Sequence, residues 1–490
     1  MARTQSSALS LTFLIFSIIL NPSSSSSSSS HQQQFQFLDV AASLQQARQV
    51  FSSNLAQINP DRVHQQKTLN YSPDSFFLPL HSRSSLPFNN YNSNYTSLTL
   101  SRLARDAARV HFILSKHSLA IQRHSRNSAP NPVRHPDQLE SPVISGIRQG
   151  SGEYFARIGV GRPAKEFYMV IDSGSDVIWL QCDPCSACYD QTDPIFDPSA
   201  SSTYKALSCN SAQCTSLEVS ACRTDTCLYQ VSYGDGSFTV GTFAAETISF
   251  GSSGSVPNVA LGCGHDNEGL FAGAAGLLGL GGGSLSLPSQ IRATSFSYCL
   301  VSRDSSTSST LEFNSGQPAD SIVAPLLTNP RVKTYRYVGL TGIDVGGRPV
   351  PIPPNAFTIG EDGRGGIIVD SGTAVTRLRS DVYSALRDAF VSLSQNLPRA
   401  SGFSLFDTCY DFSSMATARV PTVAFRFSGG KTLQLPPHNY LIPVDSQGKF
   451  CFAFAGTRGS LSIIGNVQQQ GTRVSYNLAN KYIAFSPNKC

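Results

Sequence analysis

Met169-Val170-Ile171-Asp172-Ser173-Gly174-Ser175 returns 198 positions later as Ile367-Ile368-Val369-Asp370-Ser371-Gly372-Thr373. Each copy is a short apolar run that reads as a buried strand, ending in a carboxylate followed by hydroxyl, glycine, hydroxyl. One Asp-Ser-Gly carries little weight in a chain with 38 glycines. Two copies at matching places in two halves predict a duplicated lobe with one carboxylate in each. The echo extends further. Ala275-Gly276-Leu277-Leu278-Gly279 follows the first copy and Ser462-Ile463-Ile464-Gly465 the second, so the repeat covers most of each half.

The surrounding chain has 490 residues, 40% of them hydrophobic, which is room for two or three domains with ample core. Only 14% are charged, and 38 Gly and 28 Pro favour short strands and turns over long helices. The net charge of +5 is unevenly spread: residues 31–150 hold 12 Lys+Arg against 6 Asp+Glu, residues 151–490 hold 24 against 26. A basic leader on a slightly acidic body is not a nucleic-acid-binding pattern; it fits a segment that neutralises an acidic cleft.

Arg3 precedes the apolar run Leu11-Thr12-Phe13-Leu14-Ile15-Phe16-Ser17-Ile18-Ile19-Leu20, which suits a signal-peptide core and is too short to span a bilayer. A signal peptide is therefore expected over about residues 1–25. The product is expected in the secretory pathway, bound for the extracellular space or apoplast, the vacuole or the endoplasmic reticulum, without a membrane span in its mature form. All 12 cysteines lie within residues 151–490, an even count that predicts disulfides and an oxidising compartment.

Residues 26–149 read as a basic prosegment with little strand patterning. Its helix is predicted over about Leu98–Arg123, with Leu100, Leu103, Ala107, Val110 and Leu114 on one face and Arg102, Arg105 and Arg109 on others. Those arginines, and the histidines clustered in this region, would pair with acidic groups of the body; the alternative is a merely solvated leader. Pro130, Pro132, Pro136 and Pro142 mark an extended linker, and Asn70 and Asn94 head the two glycosylation sequons. From residue 150 the texture becomes mostly β. Strands are predicted at Tyr154–Gly161, Glu166–Ile171, Cys227–Tyr233, Phe238–Val240, Glu246–Phe250 and Val420–Phe427, and one clear helix at Ser380–Leu393. Pro325 and Pro330 divide this body into lobes of residues 150–330 and 331–490. Ser232-Tyr233-Gly234-Asp235-Gly236-Ser237 reads as a hairpin tip carrying an aromatic, and Trp179, the only Trp, sits seven residues after Asp172.

Taken in order, Asp-Ser-Gly-Ser with Trp179, Tyr-Gly-Asp-Gly-Ser, Asp-Ser-Gly-Thr and the two apolar-apolar-Gly elements resemble the pepsin-like aspartic peptidases. The Cys-rich stretch Cys182–Cys227 resembles the insertion of the nepenthesin-type plant branch. The resemblance covers about residues 150–490. It implies a mostly β, bilobal fold with two pseudo-twofold-related lobes and the active-site cleft between them. Asp172 and Asp370 would be the catalytic pair, sharing a proton across a bound water because two like charges in contact do not both ionise. Ser173 and Ser371 would bond the opposite lobe's backbone, Ser175 and Thr373 the outer carboxylate oxygens, and Gly174 and Gly372 would let the two loops approach. Tyr233 and Gly234 would form the flap, with Trp179 as the hydrogen-bonding neighbour of Tyr233. The family usually carries Thr after the first Asp; Ser173 keeps the hydroxyl and lacks the methyl. The resemblance implies a secretory endopeptidase made as a zymogen, cleaving peptides at acid pH, inhibited by its own prosegment, monomeric, and without metal or other cofactor.

Cys182-Asp183-Pro184-Cys185-Ser186-Ala187-Cys188 has thiolate-ligand spacing, but a secretory route favours disulfides over zinc or iron–sulfur ligation. The family pattern implies the pairs Cys182–Cys185, Cys188–Cys263, Cys209–Cys227, Cys214–Cys222, Cys299–Cys490 and Cys409–Cys451. The Gly279–Gly283 run lacks the lysine of a phosphate loop, and no Gly-x-Ser-x-Gly is present. A non-catalytic binding or inhibitor protein on the same fold is the competing reading. It would typically have lost one Asp or reshaped its loop, and both Asp are here.

Overall fold

The computed structural model describes residues 34–52, 75–83, 94–125, 154–233, 237–269, 271, 273–305 and 307–490. The expected signal peptide, the Pro130–Pro142 linker, Asn70 and Gly234 lie outside them. The leader contributes β1 (Phe35–Asp39), α1 (Val40–Ser52), β2 (Phe76–Ser82) and α2 (Tyr95–Ser125). The body begins with β3 (Tyr154–Val160), β4 (Lys165–Asp172) and β5 (Trp179–Gln181) and continues as short strands to Pro487, interrupted by few helices, the longest of them Ser380–Leu393.

The repeat seen in the sequence is a repeat of strand pairing. Gly276–Gly279 runs parallel to β4, with Gly279 opposite Asp172; Ser462–Ile464 runs parallel to Ile367–Val369, with Ile464 opposite Val369. In each half the next strand crosses antiparallel to the same element, Trp179 meeting Leu277 and Arg377 meeting Ile463. Continuous apolar runs suit these strands because both faces are covered. The halves join through Ser295–Cys299, which pairs with Thr472–Asn477 of the second half. Leu78 and Leu80 of β2, Ile171, Leu278, Tyr298, Val369, Ile464 and Tyr476 fall in one buried cluster spanning both halves.

Four sequence expectations change. Phe238–Val240 and Glu246–Phe250 belong to a single strand, Phe238–Ser249; Gly241 inside it is a point of close approach, since a Cβ there would sit 1.9 Å from the Cys263 carbonyl oxygen. Val420–Phe427 divides at Thr422, whose N–H donates to Gln34 O. The leader has two strands where little patterning was legible: β1 pairs with Thr417–Pro421, and β2 lies between Ser308–Phe313 and β3. Their partners are distant in sequence, so a local pattern does not announce them. Finally, α2 buries only part of the predicted face, together with polar residues outside it. Leu103, Val110, Ile113, His117 and Ile121 are buried together with Arg102, Arg105 and Asp106, whereas Leu100 is 44% exposed and Ala107 is exposed. The helix docks in a cleft lined by carboxylates, where ion pairs replace part of the apolar contact.

Candidate active site

Asp172 ends β4 and Asp370 follows Ile367–Val369, so each carboxylate leaves the end of a buried strand. The parallel neighbours hold both backbones: Leu280 N donates to Asp172 O at 2.8 Å and Asp370 N to Ile464 O at 3.1 Å. Both side chains are buried. The loops grip one another reciprocally, Ser371 N donating to Ser173 Oγ at 2.9 Å and Ser173 N to Ser371 Oγ at 3.2 Å. Ser173 Oγ also lies 3.4 Å from Val369 O and 3.3 Å from Asp370 Oδ1. Gly174 N donates to Asp172 Oδ1 at 2.8 Å, and Thr373 Oγ1 to Asp370 Oδ2 at 2.6 Å. Ser175 is the odd member: its buried hydroxyl makes no well-formed hydrogen bond, though it lies close enough to favour the charged form of Asp172.

The guanidinium of Arg109, from α2, sits between the two carboxylates. Its Nε donates to Asp370 Oδ2 at 3.0 Å, Nη1 to Asp172 Oδ2 at 3.0 Å and Nη2 to Asp370 Oδ1 at 2.9 Å, with a further bond from Nη2 to Asp172 Oδ1. Such forked, charge-assisted bonds are the strong class. Burial by itself would raise the Asp172 carboxyl; the Arg109 charge and hydrogen bonds, with Ser175 and Gly174, outweigh it and hold the group below the usual carboxylate value. The two glycines face the same guanidinium. A Cβ at Gly372 would fall 2.4 Å from Arg109 Cζ, and one at Gly174 would fall 2.7 Å from Arg109 Nη2. Their principal clearance is thus toward the occupant of the cleft, and only secondarily between the loops, where a Cβ at Gly174 would fall 3.0 Å from Asp370 Oδ1.

Neighbouring turns of α2 repeat the pattern. Arg102 pairs with Asp304 at 2.7 Å, and Asp106 pairs with Arg377. On the other side of the cleft, Trp179 Nε1 donates to Tyr233 Oη at 2.7 Å, and the Tyr233 ring packs against Phe112 of α2 with centroids 5.5 Å apart. Beneath the pair, Asn466 Nδ2 donates to Ser371 O at 2.9 Å, Gln469 Nε2 to Asp370 O at 3.2 Å, and Tyr298 Oη to Gln469 Oε1 at 2.7 Å. Sequence reading assigned no role to Asn466, Gln469 or Tyr298. The polar run Asn466–Gln470 right behind an apolar strand was the signal available, since buried amides need partners.

The cysteines depart from the pairing the resemblance implied. Four bonds differ: Cys182–Cys263, Cys185–Cys188, Cys209–Cys222 and Cys214–Cys227 form, alongside Cys299–Cys490 and Cys409–Cys451. Burial sorts the partners. Cys182 and Cys263 are fully buried, brought together where β5 runs parallel to Gly262–Gly264, and Cys185 and Cys188 are left to each other in the half-exposed loop. In the same way buried Cys214 meets buried Cys227, and the outer Cys209 meets exposed Cys222. Among the described residues no group of three or more His, Cys, Asp or Glu could hold a metal, and no helix is long and apolar enough to cross a membrane. Asn94 is exposed and caps α2, its Oδ1 accepting from Ser97 N at 3.0 Å.

Two family models match the body, described as xylanase inhibitor N-terminal over residues 154–315 and xylanase inhibitor C-terminal over residues 335–487. Aspartyl protease family protein 2 of Arabidopsis thaliana is 53% identical over 407 residues, covering 81% of this chain and 82% of the relative. The chain belongs to the pepsin-like aspartyl proteases. Nepenthesin-1 of Nepenthes gracilis, an aspartic proteinase, is 40% identical over 71% of this protease and 81% of its own length. The solved structure called edgp superposes with a TM-score of 0.58 at 20% identity, over 70% of this chain and 92% of that one, a likeness of fold alone. Although the family models carry an inhibitor's description, the relatives at 40–53% identity are proteases, and the protein is an aspartic-type endopeptidase.

Proposed function

We propose that Asp172 and Asp370 are the catalytic pair of a secretory endopeptidase, and that residues 26–149 are its inhibitory prosegment. The observation that carries both is the Arg109 guanidinium bonded to all four carboxylate oxygens. Four oxygens converging on one small group define a place where a water would sit once α2 leaves. One carboxyl then holds a proton and the other is charged. The charged member takes a proton from the water as its oxygen bonds the peptide carbonyl carbon; the protonated member gives its proton to the carbonyl oxygen. Collapse of the resulting diol breaks the C–N bond, a proton passing to the leaving nitrogen. Tyr233, held by Trp179, would close over an extended peptide as the flap, with Gly234 at its tip. The lobes would be residues 150–330 and 331–490, and the enzyme would act as a monomer.

Acid activity follows from what holds the leader down. Asp172 and Asp304 have lowered pKa values in the docked state: burial alone would raise both, and Arg109 for the one, Arg102 and Arg303 for the other, outweigh it. Their contribution to docking is therefore full above the ordinary carboxylate range, begins to fall within it, and is lost as pH drops further through their lowered docked values. Burial holds His81 down to about 4, with Arg157 adding to the effect, and lowers His117. Released histidines take up protons below about pH 6.5, so these two weaken docking between that value and their docked pKa. Asp106 opposes the trend, because burial raises its pKa above the usual value. Four groups against one favour release on acidification. The test is to incubate purified precursor with a denatured protein across a pH series, with and without pepstatin. Pepstatin-sensitive cleavage near pH 4 with little at pH 7 is expected. A folded precursor that neither shortens nor cleaves at acid pH, even after its leader is clipped by an added protease, would overturn the reading.

A further inference from the structure

Asp106 is buried in a site built from the body. Its Oδ1 accepts from Ala374 N at 2.5 Å and from Val375 N at 3.3 Å, and its Oδ2 is bonded by Arg377 Nη2. Arg377 is 5% exposed, with a second weak contact from Nη1 to Val375 O at 3.4 Å. Two backbone amides and a planar guanidinium converging on one carboxylate form a carboxylate receptor. The pocket beside it is apolar: Leu103 of α2 packs there with Val375, Phe406, Ile442, Val444 and Val467. The charges that act on Asp106 are Arg377 of the body and Arg109 of α2 itself. The adjacent strand Phe454–Thr457 and the crossing strand Ser462–Ile464 bring no ionisable side chain.

Asp106 is body-bound only while α2 occupies the cleft. This step rests on the reading of α2 as a removable prosegment. Once the helix departs, the Arg377 guanidinium and the two amides face the substrate path with no carboxylate on them. We infer that Ala374, Val375 and Arg377 form a substrate subsite for an acidic side chain, Asp or Glu, flanked by an apolar one. The three-residue step from Asp106 to Arg109 rises about 4.5 Å along the helix, and an extended peptide advances roughly 3.3 Å per residue. The acidic residue therefore falls one to two positions from the attacked bond. Arg377 is a specificity-determining residue and takes no part in the bond-breaking step.

Matched peptides with Glu or Gln scanned through the positions flanking one cleavage site test the assignment. At pH 5 the mature enzyme should cleave the Glu peptide with a kcat/KM about tenfold above its Gln partner at one of those positions. The preference should fade as pH drops through about 4, where the substrate carboxyl takes up its proton. Arg377→Gln should bring the Glu:Gln preference to about one, and Arg377→Glu should shift preference toward Lys, a change of selectivity that a merely structural role for Arg377 would not produce. Equal cleavage of Glu and Gln peptides by the unaltered enzyme at every position overturns the inference, and that comparison needs no variant to fold. Protein that cleaves neither peptide sinks the peptidase reading instead. Binding of the Glu peptide over the Gln peptide by Asp370→Asn protein would then still decide the subsite.

Discussion

The two halves share a strand-pairing frame and diverge in the side chains it carries. Trp179 stands seven residues after Asp172, and Arg377 stands seven after Asp370; each crosses the equivalent apolar-Gly strand, at Leu277 and at Ile463 respectively. In the first half the indole holds Tyr233, an element of the same lobe. In the second the guanidinium reaches out of its lobe to a carboxylate of the leader. The pair of hydroxyls closing the repeat diverges in the same sense, with Thr373 bonded to Asp370 and Ser175 making no well-formed bond to Asp172. Duplication supplied one strand-and-turn frame twice. What each lobe does with it depends on single side chains aimed into the cleft.

The strongest way to break the comparison is at the carboxylates themselves, where the halves should be equivalent. Asp172→Asn and Asp370→Asn should each lower kcat/KM by on the order of 10³-fold, measured with a quenched peptide at acid pH. Full activity in either variant would remove that Asp from the pair. Next comes the group that ties the halves together. Arg109→Gln leaves two buried carboxylates without their cation, a change worth roughly 3–5 kcal/mol when a buried pair is broken. The precursor should therefore bind pepstatin at neutral pH at least about 10²-fold more tightly than the unaltered precursor; unchanged binding would show that Arg109 does not hold the cleft shut. The smallest effect sharpens the asymmetry of the hydroxyls. Thr373→Ala removes the hydroxyl bond to Asp370 Oδ2, for which about 0.5–1.5 kcal/mol is typical, and should lower kcat several-fold. Ser175→Ala should change kcat by less than about threefold, since no well-formed bond is lost. Equal losses would mean that Ser175 re-forms its bond once Arg109 leaves.

Much of the active site could be read before any fold was known, because its chemistry is local. A carboxylate at the end of an apolar strand, followed by hydroxyl-Gly-hydroxyl, declares itself within seven residues, and its repetition declares the partner. The leader was harder. Arg109 was visible as a basic residue on a helix, but of the apolar face assigned by periodicity only Leu103 and Val110 are buried, while Leu100 and Ala107 are exposed. Periodicity assumes that helices bury hydrocarbon; α2 buries Arg102, Asp106 and Arg109 because Asp304, Arg377 and the Asp172–Asp370 pair await them. The disulfides failed for a related reason. That twelve cysteines form disulfides is legible from their even count, whereas which sulfur meets which depends on burial and on strand register.

The amino-acid sequence alone determined the duplication, the two carboxylates, the hydroxyls and glycines beside them, and a mostly β body behind a basic leader, since each is written in short-range pattern or in composition. Tertiary structure decided what lies across from what. It set Arg109 over four carboxylate oxygens, Asp106 on Arg377, Gln469 and Asn466 under the Asp370 loop, and buried cysteine against buried cysteine. Those pairings join residues tens to hundreds of positions apart, and no local preference of the chain encodes a contact whose energy exists only once both partners have left water.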